Sequence, residues 1–390
     1  MATAETELLI RTRRDLHQHP ELAFQEVRTA GIVADRLRAA GYDVRTGIAE
    51  TGVVGTLRGG AGDGPTLLLR ADMDALPIVE ETSHGFRSTV EGKMHACGHD
   101  AHTAIGLAVA ERLAAKRGEW GGTVKYVFQP AEEGGQGALR MIEQGVLEGV
   151  DQALGLHVWM GLPSGIVGVT PGPFMASAGE FELTVRGRGG HGAMPEQTVD
   201  AVVIGSQIVV ALQSIVSRTV SPLESAVVTV GAFHAGSAQN VIAESARLVG
   251  TYRAFEVEAC EELPRRIEKI AAALCQAMGA TYDFHYRQDT PPTINDPAIA
   301  DLVRAAAEEV VGTDRVRFGA EVRTMAAEDF GEFLLRVPGC YFFVGAMNEE
   351  KGQVHPHHNP RFDICEDCMP VAVEVLERAA LRALNGDRPV

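Results

Sequence analysis

Several stretches of the 390-residue chain crowd together side chains that bind metal ions or move protons. The densest is His95-Ala96-Cys97-Gly98-His99-Asp100-Ala101-His102. Cys97 and His99 are two positions apart, so an extended loop aims both at one point. Softer transition metals such as zinc accept thiolate and imidazole together. The plainer reading is a polar loop in which Asp100 caps the following helix. His95 and His102 are candidates for groups behind the ligands. Glu132 and Glu133 follow the apolar run ending at Phe128. Adjacent carboxylates point apart, so one can ligate a metal while the other faces a water; a solvated pair is the alternative. His157 ends the apolar run Leu154-Gly155-Leu156, where a lone histidine is often just a core residue. His355-Pro356-His357-His358-Asn359-Pro360 reads as a rigid loop or a surface turn. Asp72 and Asp74, after another apolar run, either orient a ligand histidine or cap a turn, and spacing leaves both open.

These donors exceed what one tetrahedral structural zinc needs. Two ions roughly 3.5–4 Å apart would use them, activating one water and polarising a carbonyl. No G-x-S-x-G elbow is present, which disfavours a serine hydrolase. Cys365 and Cys368 form a C-x-x-C without a second pair, read as a helix start rather than a zinc ribbon or redox motif. Further along, glycines flank His191 in Gly187-Arg188-Gly189-Gly190-His191-Gly192, permitting close approach to a ligand. Asn240 and Arg253 follow; Arg253 can hold a carboxylate in bidentate fashion or serve an ordinary surface ion pair.

Positioning such groups requires strand ends and helix starts. Arg11–Ala40 reads as one helix stopped at Gly41, and His102–Lys116 as a second. Val53–Leu57, Thr66–Arg70, Thr123–Phe128 and Ala153–Val158 read as strands, Thr123–Phe128 as a buried parallel one. Their alternation with helices predicts an open α/β sheet. From about Gly179 the rhythm changes. Strand 181–185, helix 199–216, strands 226–230 and 247–254, helix 258–278 and strand 282–287 give the order β-α-β-β-α-β of a small split domain. Pro291 and Pro292 then break the chain, and 296–311, 327–335 and the last helix to Leu384 return to α/β character around strand 341–345. The expected fold is α/β: an open-sheet domain of residues 1–178 plus 292–390, with a small ferredoxin-like domain of residues 179–291 inserted between its two parts.

Lysines and arginines number 35 against 52 aspartates and glutamates, a formal net charge of -17 that disfavours nucleic acid and anionic lipid as partners. Met1–Ile10 reads as neither signal peptide nor anchor, and no stretch reads as long enough to span a membrane. Six cysteines in so long a chain fit a reducing, cytoplasmic compartment better than a disulfide framework.

With these segments in view, the chain resembles the aminoacylase, hippurate hydrolase and auxin-conjugate hydrolase branch of the glutamate carboxypeptidase-like metallopeptidases. The resemblance rests on Arg14 to Leu22, Arg70 to Pro77, Met94 to His102, Gln129 to Gly134, Gly155 to His157, Gly190 to Pro195, Asn240 to Ile242, Ala327 to Phe330 and His358 to Phe362. The string M-H-A-C-G-H-D-x-H is the most specific of these. The resemblance implies two divalent metal ions (Zn, Mn, Co or Ni) held by Cys97, His99, Glu133, His157 and His358. His357 makes the last ligand ambiguous by one position; spacing to Pro360 selects His358. Glu132 would be the general base acting on a metal-bridging water. His191, reaching a partner subunit's site, would steady the oxyanion. Asn240 and Arg253 would grip the amino-acid carboxylate. Ala243 stands where relatives often carry proline after Asn-Val-Ile, which touches the loop shape and not the role of Asn240. The implied activity is hydrolysis of N-acyl amino acids by a homodimer or higher homo-oligomer, with residues 1–178 plus 292–390 as the metal-binding catalytic domain and residues 179–291 as closing lid and dimerisation surface. A dipeptidase or carboxypeptidase with the same metals, and a non-enzymatic metal binder of the same fold, are the rival readings.

Overall fold

The computed structural model describes residues 3–386. Met1, Ala2 and residues 387–390, which the expected catalytic domain and N-terminal reading include, lie outside the described residues. The chain divides into two compact units: residues Met1–Phe174, Ile294–Arg323 and Asp329–Val390 form the first, and Met175–Thr293 with Thr324–Glu328 the second. The crossings fall at 174/175 and 293/294, against 178/179 and 291/292 expected from the pattern.

The first unit holds an eight-stranded sheet. Its first five strands in chain order are β1 (Asp43–Ile48), β2 (Gly52–Arg58), β3 (Thr66–Asp72), β4 (Thr123–Gln129) and β5 (Gln152–Pro163). The centre runs β4, β3, β5, then Gly339–Met347, all parallel neighbours. β2 joins β4 antiparallel and β1 joins β2 antiparallel. Far from the centre lie the short strands Val167–Val169 and Val316–Phe318. The sheet is therefore mixed, parallel only where helices cover it. The edge strands β1 and 316–318, and strand 167–169 beside the latter, were not anticipated; β1 is mostly exposed and short of apolar residues, so it carries little alternation.

Helices α1 (Ala4–Gln18), α2 (Val27–Ala39) and α3 (His99–Ala115) pack together, with α3 lying on β3 and against the final helix Cys368–Leu384. The single helix expected over 11–40 is two. Pro20 lacks an N–H and restricts His19, so the chain breaks there and restarts at Val27. The helix expected over 327–335 shortens to Gly331–Leu334. Backbone ahead of it is committed elsewhere: Ala176 N–H bonds Thr324 O and Ala326 O, and the Asp329 side chain turns inward. Cys368 starts the last helix and is fully buried.

In the second unit a four-stranded antiparallel sheet runs Ala226–Ala235, Ser245–Ala254, Ala178–Arg186, Thr281–Thr290. With helices Ala201–Thr219 and Val257–Met278 this gives the β-α-β-β-α-β order and the strand order of a ferredoxin-like unit. Helix Ala201–Thr219 corrects one expectation: by length and composition it is apolar enough to cross a membrane. Its Ile204, Ile208, Leu212 and Ile215 are buried in the unit's own core, four to a stripe at helical spacing, as a core helix requires.

Leu107 of α3 is fully buried among the first unit's core residues. Leu107→Ala is expected to cost about 2–5 kcal/mol by chemical denaturation, whereas Val27→Ala, on a 71% exposed site, changes stability by no more than about 0.5 kcal/mol.

Candidate active site and metal centre

Because β3, β4, β5 and Gly339–Met347 run parallel, their carboxyl ends share one edge, where open α/β sheets bind ligands. The loop entering α3 reaches this edge through Gly98. Its φ is +92°, and a Cβ there would lie 2.5 Å from Val158 Cγ2, so glycine is required on both counts. Cys97 and His99 flank that turn. β5 continues to Pro163, but its pairing with β3 stops at Gly155, leaving His157 beyond the last β3 partner. Glu132 and Glu133 follow the end of β4 in a turn with Ala131 at φ +54° and Gly134 at +81°. His358 also takes a left-handed φ of +65°, and its N–H bonds Ala96 O at 2.8 Å. A non-glycine residue held there is strain retained by its surroundings.

The ligand-type atoms of Cys97, His99 and His157 lie within 4.8 Å of one another, as do those of Cys97, Glu133 and His358, and those of His99, Glu132 and Glu133. These overlapping sets bring all the expected ligands and Glu132 to one place. Cys97 Sγ is 3.5 Å from His157 Nε2, and His358 Nε2 is 3.1 Å from Glu133 Oε1. Glu132 Oε1 accepts from the Asp329 N–H at 3.4 Å. The adjacent histidines are separated by their partners. His357 Nε2 accepts the Met160 N–H at 3.1 Å and its ring stacks on Trp159, while His358 faces Glu133.

Groups behind the ligands are equally defined. His99 Nδ1 is 2.9 Å from Asp74 O and 3.2 Å from Asp74 Oδ1, and Asp74 Oδ2 accepts the Glu133 N–H at 3.0 Å. Asp74 thus orients two neighbouring donors at once. His102 Nδ1 meets Asp72 Oδ1 at 2.6 Å, and His102 Nε2 accepts the Val158 N–H at 2.9 Å. Both its nitrogens are engaged, so His102 fastens β5 to the start of α3. Asp100 makes no capping bond; α3 begins at His99, three residues earlier than expected. Asp100 instead takes Arg13 Nε at 3.0 Å and His17 Nδ1 at 2.8 Å. His95 is buried with neither ring nitrogen hydrogen-bonded, and burial pushes it down to about 4.

The sequence reading missed one hub. Arg70, fully buried, donates to Gln129 Oε1 (2.9 Å), Asp72 Oδ2 (2.6 Å), Tyr341 Oη (3.2 Å) and Asp329 Oδ1 (3.0 Å). Asp329 also accepts from Gln129 Nε2 and the Ala138 N–H. The available signal was a charged residue directly after the apolar run Leu67-Leu68-Leu69, within the same expected strand.

Electrostatics test whether metal ions fit. Burial pushes the Cys97 thiol well up, and the Glu133 and Glu132 carboxylates push it further. Burial works against a charged His99, yet Asp72 and Asp74 outweigh it and raise it to about 10. Burial, with His102 and His357 nearby, keeps His157 well below its ordinary value and therefore neutral. Asp72 stays well below the usual carboxylate range despite burial, because His102, His99 and Arg70 face it. His99 Nε2 is buried with no hydrogen-bond partner. Carboxylate oxygens, a thiol that a bound cation would deprotonate, a neutral imidazole and a ring nitrogen without a hydrogen-bond partner converge here, and this donor set matches the ligand chemistry of divalent cations.

His191, Asn240 and Arg253 belong to the second unit. His191 pairs with Val241, and Gly192 N–H bonds Asn240 O at 2.8 Å, so His191 and Asn240 sit together. Arg253 NH1 donates to Thr251 Oγ1 and Tyr252 O of its own strand and makes no ion pair among the described residues.

Residues 68–382 match the family described as peptidase family M20/M25/M40. The chain is 39% identical over 381 residues to an IAA-amino acid hydrolase ILR1-like 4 of Arabidopsis thaliana, covering 96% of this chain and 86% of that protein. It is 38% identical over 378 residues to an N-acetylcysteine deacetylase of Bacillus subtilis, covering 97% of each. Among solved structures, the Bacillus subtilis YXEP protein, titled a dinuclear metal binding peptidase from the M20 family, superposes with a TM-score of 0.84 at 34% identity, covering 98% of this chain and 99% of that one.

Asp74→Asn is expected to weaken metal binding by about 10–100-fold with the far-UV circular dichroism unchanged; competition with a chromophoric chelator measures it.

Proposed function

Because the chain belongs to peptidase family M20/M25/M40, we propose that it is a metal-dependent amidohydrolase cleaving N-acyl amino acids to a carboxylic acid and a free amino acid. The observation that carries this is Glu132 converging with the ligand atoms of His99 and Glu133, a carboxylate beyond those the metal ligands need. Relatives that act on an indoleacetyl and on an acetyl conjugate support the substrate class.

Cys97, His99, Glu133, His157 and His358 would hold two divalent cations. When bound, such ions supply Lewis acidity that makes water nucleophilic near neutral pH and polarises the scissile carbonyl. Glu132 takes a proton from the attacking water as its oxygen bonds the carbonyl carbon. Glu132 then returns the proton to the amide nitrogen as the C–N bond breaks. Asp74 and Asp72 keep His99 and His102 aligned through these steps. His191 donates to the developing oxyanion, and Asn240 and Arg253 hold the amino-acid carboxylate. The second unit serves as lid and as the surface between subunits. The exposed Val202, Val203 and Val210 on helix Ala201–Thr219 support such a surface. Six unpaired cysteines support a reducing compartment such as the cytoplasm.

Peptide hydrolysis at the same metals is the second reading, favoured by the peptidase description of the YXEP structure. Hydrolysis rates on hippurate, indoleacetyl-alanine, N-acetylcysteine and a free dipeptide separate the two; a preference for the dipeptide would reverse the assignment.

Glu132→Gln is expected to lower kcat by about 10²–10⁴-fold while elemental analysis still finds the wild-type metal content; near wild-type turnover would remove Glu132 from its role. If His191 completes a partner's site, inactive His191→Ala and Glu132→Gln proteins regain part of the activity after subunit exchange. No recovery despite demonstrated exchange would place His191 elsewhere.

A further inference from the structure

A second convergence of ligand atoms lies in the first unit, away from Cys97 and Glu133. His17 is in the last turn of α1; Glu80 and His84 are in the loop between β3 and α3. One ligand-type atom from each lies within 4.8 Å of the others. His17 Nε2 is 3.4 Å and His84 Nε2 is 3.8 Å from the same oxygen, Glu80 Oε1. The two imidazole rings are 5.5 Å apart at 70°.

The spacing favours an ion over hydrogen bonds. At 3.4–3.8 Å these contacts are longer than good N–H···O bonds. Two ligand atoms each about 2.1 Å from one tetrahedral ion lie about 3.4 Å apart.

Each ligand is also braced from behind. His17 Nδ1 is 2.8 Å from Asp100 Oδ2, a carboxylate already ion-paired to Arg13, which leaves Nε2 as the nitrogen facing Glu80. A carboxylate on the far nitrogen is the usual way a ligand histidine is oriented. Glu80 Oε2 accepts the Ser88 N–H at 2.6 Å, and Thr82 Oγ1 donates to Oε1. The His84 ring stacks on Phe86 at 3.9 Å, and Phe86 lies under the Arg14 guanidinium at 4.7 Å.

His84 is the telling member. Both its ring nitrogens are shielded from solvent and neither has a hydrogen-bond partner. Leaving such groups unmatched is unfavourable, a loss that a bound cation reverses at one of them. The side chain as a whole is 19% exposed, so an ion can reach it from the surface.

We propose that His17, Glu80 and His84 bind one first-row divalent cation, of the zinc class, at a site separate from the hydrolytic centre. Two imidazoles and a carboxylate suit zinc and its neighbours, with the fourth position taken by water. The ion ties the 80–88 loop to α1. Through His17 and Asp100 it braces the first turn of α3, which carries His99.

The test is equilibrium dialysis of the full-length protein against buffered zinc, followed by elemental analysis, for wild type and His84→Ala. The expected result is one fewer zinc per chain in His84→Ala, with circular dichroism unchanged and a smaller zinc-dependent rise in Tm. Cobalt substitution tells the two sites apart, since only the Cys97 centre supplies a thiolate-to-cobalt absorption band. That band stays intact in His84→Ala. Equal zinc content in the two proteins overturns the proposal, and so does loss of the thiolate band together with the missing ion. Should His84→Ala fail to fold, His84→Asn, which keeps a polar side chain, replaces it with the same outcomes.

Discussion

A single buried guanidinium holds the working edge of the sheet together. Arg70 projects from β3 and meets Asp72 of its own strand, Gln129 at the end of β4, Tyr341 of strand Gly339–Met347 and Asp329 before the short helix Gly331–Leu334. An arginine suits this position because its planar fork presents several donors in fixed directions, whereas a lysine offers one mobile charge. Its burial would be costly alone. Asp72 and Asp329 compensate, and both are themselves buried. Asp72 then passes the constraint on to His102, and His102 to the backbone of β5. The strands that deliver His157, Glu132 and Glu133 are thereby indexed to one another before any ligand atom is considered.

Upon that frame the ligand loops adopt backbone conformations that ordinary residues avoid. Gly98 turns through the left-handed region with Val158 against it. Ala131 and His358 enter the same region carrying side chains. Such strain persists because neighbouring bonds over-determine it: the His358 N–H is tied to Ala96 O, and the Ala131 N–H to Glu26 Oε1. The result is a concentration of sulfur, carboxylate and imidazole groups in which burial and the Glu133 and Glu132 carboxylates hold the Cys97 thiol well up. A bound divalent cation would take that sulfur as the thiolate, so metal binding would couple to the ordering of these loops.

The two units divide the work by construction. The first, built on parallel strands, concentrates donors at strand ends because every carboxyl terminus there faces the same way. The second is antiparallel, with its own apolar core, and presents His191 and Asn240 on a small ribbon beside that core. Its helix Ala201–Thr219 combines a buried isoleucine and leucine stripe with exposed valines, a composition that imitates a membrane span until the burial of one face is seen.

Residue types and short spacings determined much of this from the sequence. Cys97-Gly98-His99, the paired Glu132 and Glu133, and the change of rhythm near Gly179 are local patterns, and local patterns survive in a linear string. The ferredoxin-like order of the second unit was legible for the same reason, since helix and strand periods differ over each short segment. Tertiary structure decided whatever depended on a partner distant in the chain. Asp100 looked like a cap until Arg13 and His17 were found against it. The break between α1 and α2 at Pro20 was masked by apolar residues that keep helical spacing on both sides of it. His357 and His358 are indistinguishable by type, and only the backbone of Met160 and the carboxylate of Glu133 separate them. Arg70 and Asp329 lie 259 positions apart yet are 3.0 Å from each other, and no one-dimensional period encodes a bond of that range.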